Sequence, residues 1–146
     1  MVADSSRLFE LLAPDRAMQT LLAGTPGLPE AISWIEAADV SPEMRAALWL
    51  YVDELDQAHV IVQDIPSSTG SYLHAILHRR EGDYSNSKYW FRRSGPHPLL
   101  ELLPGYDPIR FVDQAEAAGS SNPAELVATQ RSEWKAVFDY LAGGGR

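Results

Sequence analysis

Three of the four histidines in this chain, together with one aspartate, have the spacing of metal ligands on two facing helices. His74 and His78 are four residues apart, and Asp56 and His59 are three apart, so on helices each pair shares one face. A short polar segment joins the two regions, and such connections favour an antiparallel hairpin. The spacing then predicts His59 at the level of His74, and Asp56 at the level of His78.

Three imidazoles and a carboxylate suit zinc, nickel, iron or manganese better than magnesium. If such a site is catalytic, we expect metal-assisted hydrolysis or a related lyase step, with His78 and His74 as the catalytic residues and a histidine as general base. The alternative for the same residues is a buried polar network, in which Asp56 serves only as a hydrogen-bond partner.

Positive charge is concentrated in residues 74–93, HAILHRREGDYSNSKYWFRR, which carry a balance of +3 in a chain whose net charge is −8. Arginine forks bind carboxylates and phosphates in a bidentate manner, and neighbouring rings add stacking or cation–π contacts. The stretch therefore predicts a site for a small anionic ligand. Its candidate ligand-binding residues are Arg79, Arg80, Asn86, Lys88, Tyr89, Arg92, Arg93 and His97. The alternative is that these cations pair with acids of the same chain, such as Glu81 and Asp83.

Helix start and stop signals recur along the chain, and sustained two-residue alternation is absent from its sequence, so the pattern predicts a single all-α domain over residues 1–146. Ser41-Pro42 is a capping hydroxyl followed by proline, and it begins the strongest pattern, a long central helix over about 42–63. That helix should form an antiparallel hairpin with a second over 71–81. The other predicted helices cover about 4–12, 14–23, 30–38, 84–93, 108–118 and 123–141, with one helical turn at LLELL (99–103).

Composition narrows the class of protein. The sequence has no cysteine, so disulfides and thiolate metal ligands are excluded.

The first residues lack the pattern of a signal peptide, and no apolar window approaches 18 residues. Together these two features predict a soluble cytoplasmic protein. The acidic balance argues against a nucleic acid partner, and the lack of a long apolar window argues against a membrane partner. Trp134, Phe138 and Leu141 share one face of the last helix, which predicts either core or a homodimer face.

HAILHRREGDYSNSKYWFRRSGPHP, with the upstream LWLYVDELDQAHVIVQDIPSSTGSYLHAILH, resembles a family of uncharacterised bacterial and fungal proteins. In that family a helical segment ending in His-Arg-Arg-Glu is followed by an Asn-x-Lys-Tyr-Trp-Phe-Arg-Arg run and a His-Pro loop. The resemblance covers about residues 48–98, and the chain departs from it at Leu77-His78 and Gly82, where methionine and proline are common. It implies a shared site over these polar residues without implying a reaction.

Two hypotheses follow. In the first, a His/Arg-rich pocket binds an anionic small molecule, with a divalent metal held by Asp56, His59, His74 and His78. In the second, the protein is a non-catalytic structural or protein-interaction domain, and its histidines and arginines form a buried network of hydrogen bonds and salt bridges.

Overall fold

The chain is all-helical in a computed structural model that describes residues 4–24 and 27–146, and no strand forms within these ranges. The predicted all-α fold is therefore confirmed. The described ranges hold eight α-helices and one short 3-10 helix. The α-helices are α1 (Ser6–Leu11), α2 (Pro29–Ala37), α3 (Pro42–Tyr51), α4 (Leu55–Val62), α5 (Ser68–Glu81), α6 (Tyr84–Ser94), α7 (Pro108–Ala118) and α8 (Ala124–Ala142). The 3-10 helix, Pro98–Leu102, lies at the predicted turn.

Helices α3 and α5 form the centre of the molecule. Residues 46–51 of α3 and residues 69–80 of α5 are all buried, so both helices are surrounded by other elements. Helix α5 contacts α3, α4 and α6, while α8 covers α3 and α7 packs on α6. Trp134 of α8 donates its indole N–H to the carbonyl of Ala47 at 2.7 Å, and Leu141 is also buried, which favours the core interpretation of this face.

The turn between α4 and α5 is tight enough to bring the two helices side by side. Ser67 caps α5 by accepting the N–H of Gly70 at 3.1 Å, so α5 begins three residues before the predicted start. Gly70 packs directly on the backbone of Ile65, where a Cβ atom would clash with the Ile65 carbonyl oxygen. The hairpin predicted to carry His59 and His74 is thus formed, although its first arm is much shorter than predicted.

The predicted helix over 42–63 is wrong, because the chain breaks between Tyr51 and Leu55. Asp53 adopts the left-handed conformation (φ 62°), which is uncommon for any residue but glycine. The N–H of Glu54 donates to Trp49 O at 2.9 Å and that of Asp53 to Leu50 O at 3.2 Å. This pair of bonds is the Schellman pattern that ends many helices.

Arg80 stabilises the break from the far side of the hairpin. Its guanidinium is buried and donates to Asp53 Oδ1 at 2.6 Å. It also donates to the carbonyls of Leu50 and Thr20, each at 3.1 Å. The Leu50 carbonyl in the last turn of α3 and the carboxylate of Asp53 therefore share one cation. The charged partner lies 27 residues beyond Asp53 and gives no local signal in the sequence of α3.

A second difference concerns residues 14–23, which were predicted to be helical and instead form a series of turns. Side chains near and within α8 satisfy backbone groups of this segment in place of helical hydrogen bonds. Arg131 Nε donates to Ala17 O at 2.9 Å, and Gln130 Nε2 donates to Thr20 O at 3.0 Å. The N–H of Leu21 donates to Asn122 Oδ1 at 2.9 Å. The other predicted helices begin and end within about three residues of their predicted bounds.

No helix in the described ranges combines the length and the apolar character that crossing a membrane requires.

Replacing Arg80 by methionine should lower the free energy of unfolding by about 3–5 kcal/mol, because Asp53 and two buried carbonyls lose their only shared cation. The matched control is Arg92→Met, since Arg92 is exposed and should change stability by less than about 0.5 kcal/mol. Urea unfolding followed by far-UV circular dichroism measures both. Equal stabilities of the two variants would show that the break does not depend on Arg80.

Candidate metal centre

Three histidines converge where α4 and α5 lie side by side. One ring nitrogen each of His59, His74 and His78 lies within 4.8 Å of the other two. The ring of His59 meets those of His74 and His78 nearly edge-on, at centroid distances of 5.2 and 6.0 Å. The predicted approach of His59 to His74 is therefore present in the structure. These three residues are close enough to hold a metal ion.

Trp90 of α6 closes one side of the group. Its ring lies parallel to that of His74, with 4.0 Å between centroids, and His74 in turn stacks on His78 at 4.7 Å. His74 and His78 are 6% and 8% exposed, whereas His59 is only half-buried. The group is consequently packed on the Trp90 side and reachable from solvent beside His59.

Acidic and amide groups surround the outer edge of His78. Its Nδ1 lies 3.4 Å from Glu81 Oε1 and 4.0 Å from Asp83 Oδ2. Its Nε2 lies 3.3 Å from the amide nitrogen of Asn86, which also donates to Asp83 Oδ2. An amide donor at Nε2 and carboxylates at Nδ1 favour the tautomer that carries its proton on Nδ1. The Nε2 lone pair then accepts the Asn86 amide N–H.

Burial keeps the imidazoles of His74 and His78 neutral. The pKa of His74 is lowered to about 4. Burial is the main cause, and the positive charges that His78 and His59 would carry when protonated contribute less. The pKa of His78 is also lowered by burial, although Glu81 and Asp83 oppose the shift. Neutral imidazole is the form that binds metal ions.

Asp56, the fourth predicted ligand, is exposed and is not part of the histidine group. The reason is the break at Asp53: α4 starts at Leu55, so Asp56 lies in the first turn of a separate helix. A carboxylate in that turn complements the positive helix N-terminus. The prediction that Asp56 faces His78 depended on one continuous helix, and that helix does not form.

Arg79 and Arg80, predicted to bind an external anion, are each 1% exposed and are paired inside the core. Arg79 Nη1 lies 2.8 Å from Glu133 Oε1, and its guanidinium lies over the ring of Phe111 at 4.7 Å. Arg80 pairs with Asp53. Neither side chain reaches solvent, so the structure places both in the buried network that the alternative interpretation described.

Glu133, which the sequence analysis missed, is the centre of that network. Besides Arg79, it accepts the hydroxyl groups of Tyr72 at 2.9 Å and Tyr106 at 2.7 Å. Glu133 lies in an amphipathic helix pattern, where it shares the buried face with Val127, Trp134 and Val137. That shared face is the one feature of the sequence that indicates its burial. The sequence analysis also missed the contact between Trp90 and His74. Trp90 lies four residues after Asn86, so these two side chains are on the same face of α6.

His97 belongs to a different part of the core. Its Nδ1 accepts the N–H of Leu99 at 3.0 Å and caps the 3-10 helix, while its Nε2 lies 2.8 Å from the hydroxyl of Thr69. Because Nδ1 accepts, the proton is on Nε2 and donates to Thr69. This arrangement is structural and leaves no ring nitrogen free for a ligand.

The remaining predicted ligand-binding residues are divided between two sides of α6. Lys88 points to α7 and pairs with Asp113 at 2.5 Å. Arg93 lies over Trp90, with its guanidinium carbon 5.7 Å from the centre of that ring. Tyr89 is 51% exposed and meets Trp90 edge-on, and Arg92 is exposed. Asn86 and Arg93 are thus the polar residues of α6 that share the side of Trp90.

No protein-family model, curated protein or solved structure matches this chain. The resemblance to a bacterial and fungal family, the cytoplasmic location and the homodimer therefore stay predictions.

Replacing His97 by asparagine should flatten the pH dependence of stability. Burial lowers the pKa of His97, so between its folded and unfolded pKa values the unfolded chain binds the extra proton. Stability is then full above the unfolded value near 6.5 and is lost as pH falls below it, by up to about 1.4 kcal/mol per pH unit. Asparagine still offers an oxygen to the Leu99 N–H, so the cap can persist.

Urea unfolding at pH 7, 6 and 5, in buffer containing a chelator, measures this slope. The variant should lose less stability than the unchanged chain between pH 7 and pH 5. Parallel pH profiles for the two proteins would contradict a buried neutral His97.

Proposed function

We propose that this protein binds a divalent transition metal ion through His59, His74 and His78 and presents the ion to a small anionic ligand. The convergence of the three ring nitrogens within 4.8 Å of one another is the observation that supports it. A tetrahedral ion with bonds of about 2.0–2.1 Å holds its ligand nitrogens about 3.3 Å apart. Reaching that spacing requires the side chains to rotate, including the stacked rings of His74 and His78.

The surroundings of His78 are those of a metal-bound histidine. Such residues usually donate their second ring N–H to a carboxylate, which orients the ring and makes the ligand nitrogen more basic. Glu81 lies 3.4 Å from His78 Nδ1 and is suited to that role, and Asp83 lies slightly farther away at 4.0 Å. For Nε2 to bind the ion, the Asn86 amide that donates to it must turn away.

The ligand set also determines which ion and which further ligand are favoured. Three neutral imidazoles suit zinc, nickel, iron or manganese, and they leave the full positive charge of the ion uncompensated. An anion completes such a site more readily than a neutral molecule does. Arg93 is exposed over the Trp90 ring, which stacks on His74, and within the described ranges no carboxylate lies within 4.0 Å of its guanidinium. The proposal assigns Arg93 to the anion.

A metal ion at this position would polarise a bound water or carbonyl, which is the chemistry of metal-assisted hydrolases and some lyases. The prediction that His78 and His74 are catalytic, with a histidine as general base, does not fit this assignment, because a nitrogen bound to the ion has no free lone pair. The proposal therefore treats both residues as ligands.

The alternative function, a non-catalytic domain with a structural network, has support of its own. Arg79, Arg80 and His97 are all buried with partners inside the fold. The three clustered histidines form a separate group, in which His78 Nδ1 is buried without a hydrogen bond of good geometry, a property that it shares with the nitrogens of Arg79. The two candidate functions differ in one measurable property, which is metal binding.

Isothermal titration with Zn²⁺ or Co²⁺ at pH 7.5 should give one site per chain. Changing His59 to alanine removes one of three ligands and should weaken that affinity by about 100-fold or more, because even outer partners of a ligand contribute 10- to 100-fold. His59 is half-buried at the solvent side, so the variant should keep its fold. The matched control is Gln57→Ala, an exposed position in the same helix, which should bind the ion unchanged. Equal affinity for both variants, or no binding by the original chain, would support the structural alternative.

Glu81→Gln tests the orienting carboxylate. It should weaken metal affinity by about 10-fold while leaving one site per chain, since glutamine keeps the shape but loses the charge beside His78. Glu116→Gln, an exposed acid on α7, changes the net charge equally and controls for long-range attraction of the cation. The same titration measures both, and identical affinities would remove Glu81 from the site.

A further inference from the structure

A second concave feature lies away from the histidines. It is an open cavity of about 680 Å³ between α1, the end of α3, the 3-10 helix and α8, and none of the three clustered histidines lines it. Small-molecule sites in proteins usually have volumes of about 300–1,000 Å³. Nothing in the proposed metal site uses this cavity.

The walls of the cavity are aromatic. Phe9, Tyr51, Trp134 and Phe138 line it, and their rings contact one another, with centroids 5.6 Å apart for Phe9 and Tyr51 and 5.3 Å for Trp134 and Phe138. Leu102, which is 53% exposed, extends the apolar surface at the mouth.

The polar atoms of these rings are used inside the fold. The Tyr51 hydroxyl donates to Leu12 O at 2.6 Å, and the Trp134 N–H donates to Ala47 O at 2.7 Å. Both groups are therefore satisfied, and the two side chains offer the cavity mainly ring surface. A molecule lying here gains from burying apolar area and finds no strong polar partner along the walls.

The rim of the cavity carries charge. Arg131, Lys135 and Asp139 line it, and the last two pair with each other at 2.7 Å. Arg131 donates through Nε to Ala17 O at 2.9 Å. Within the described part of the chain, its two terminal nitrogens have no hydrogen-bond acceptor, and no carboxylate lies within 4.0 Å of them. The cavity thus joins an apolar interior to one arginine that has no ion-pair partner among the described residues, in a chain whose net charge is −8.

We propose that this cavity binds a small apolar monocarboxylate, with its hydrocarbon part against the four rings and its carboxylate on the terminal nitrogens of Arg131. An arginine fork matches a carboxylate in geometry as well as in charge. This site is independent of the metal centre and would be present in a protein that binds no metal.

Sodium decanoate, titrated below its micelle concentration and followed by calorimetry, is the probe. We expect one site per chain, and we expect 1-decanol to bind at least about 10-fold more weakly, since hydrogen bonds to charged groups are the stronger ones. Arg131→Gln should reduce decanoate to the affinity of decanol. Equal affinities of the original chain for decanoate and decanol, or no binding of decanoate, would overturn the proposal.

Two tryptophan variants locate the bound molecule. Ser132 is exposed and lines the cavity, so Ser132→Trp should fill its mouth and abolish decanoate binding. Ala128 lies one turn earlier in α8, is exposed and does not line the cavity, so Ala128→Trp should bind decanoate normally. Thermal melting verifies that both variants fold. Unchanged binding by the Ser132 variant would show that decanoate binds elsewhere and would overturn the assignment.

Discussion

The ion pair between Arg80 and Asp53 determines the geometry on which the candidate metal centre depends. It holds Asp53 in the left-handed conformation that ends α3, and it supplies a donor to Leu50 O at the same helix end. The chain therefore starts a new helix at Leu55 in a different direction. That new direction puts His59 against His74 and His78, while Asp56 is left in solvent.

Arg79, the next residue in the chain, fixes the other side of α5. Its pairing with Glu133 ties α5 to α8, and the hydroxyl groups of Tyr72 and Tyr106 complete the coordination of that carboxylate. Two adjacent buried cations are costly to desolvate, and each has a buried or half-buried carboxylate that offsets the cost. Helix α5 is thereby held on two sides, and it presents His74 and His78 from a rigid support. Such support is what a preorganised binding site requires.

The parts of the fold that could be predicted are those with local causes. Ser41 caps α3, as the Ser41-Pro42 pattern predicts, because a cap acts over three residues. The meeting of His59 with His74 also followed from spacing and a short turn. The end of α3 could not be predicted, since Arg80 lies 27 residues away from Asp53. For the same reason the arginines of residues 74–93 were predicted to form a surface site. A sequence does not show whether an arginine is exposed or is buried against a carboxylate far away in the chain.

The most direct test of the central claim is X-ray absorption spectroscopy of the zinc-loaded protein. If α4 and α5 bring three histidines to one ion, the spectrum should show multiple-scattering features of about three imidazoles at bond lengths of about 2.0–2.1 Å, completed by light atoms from solvent or an anion. His59→Ala should lose one imidazole from that shell. A shell made only of oxygen atoms, or one imidazole at most, would mean that zinc binds elsewhere and that the histidine group is not a metal centre.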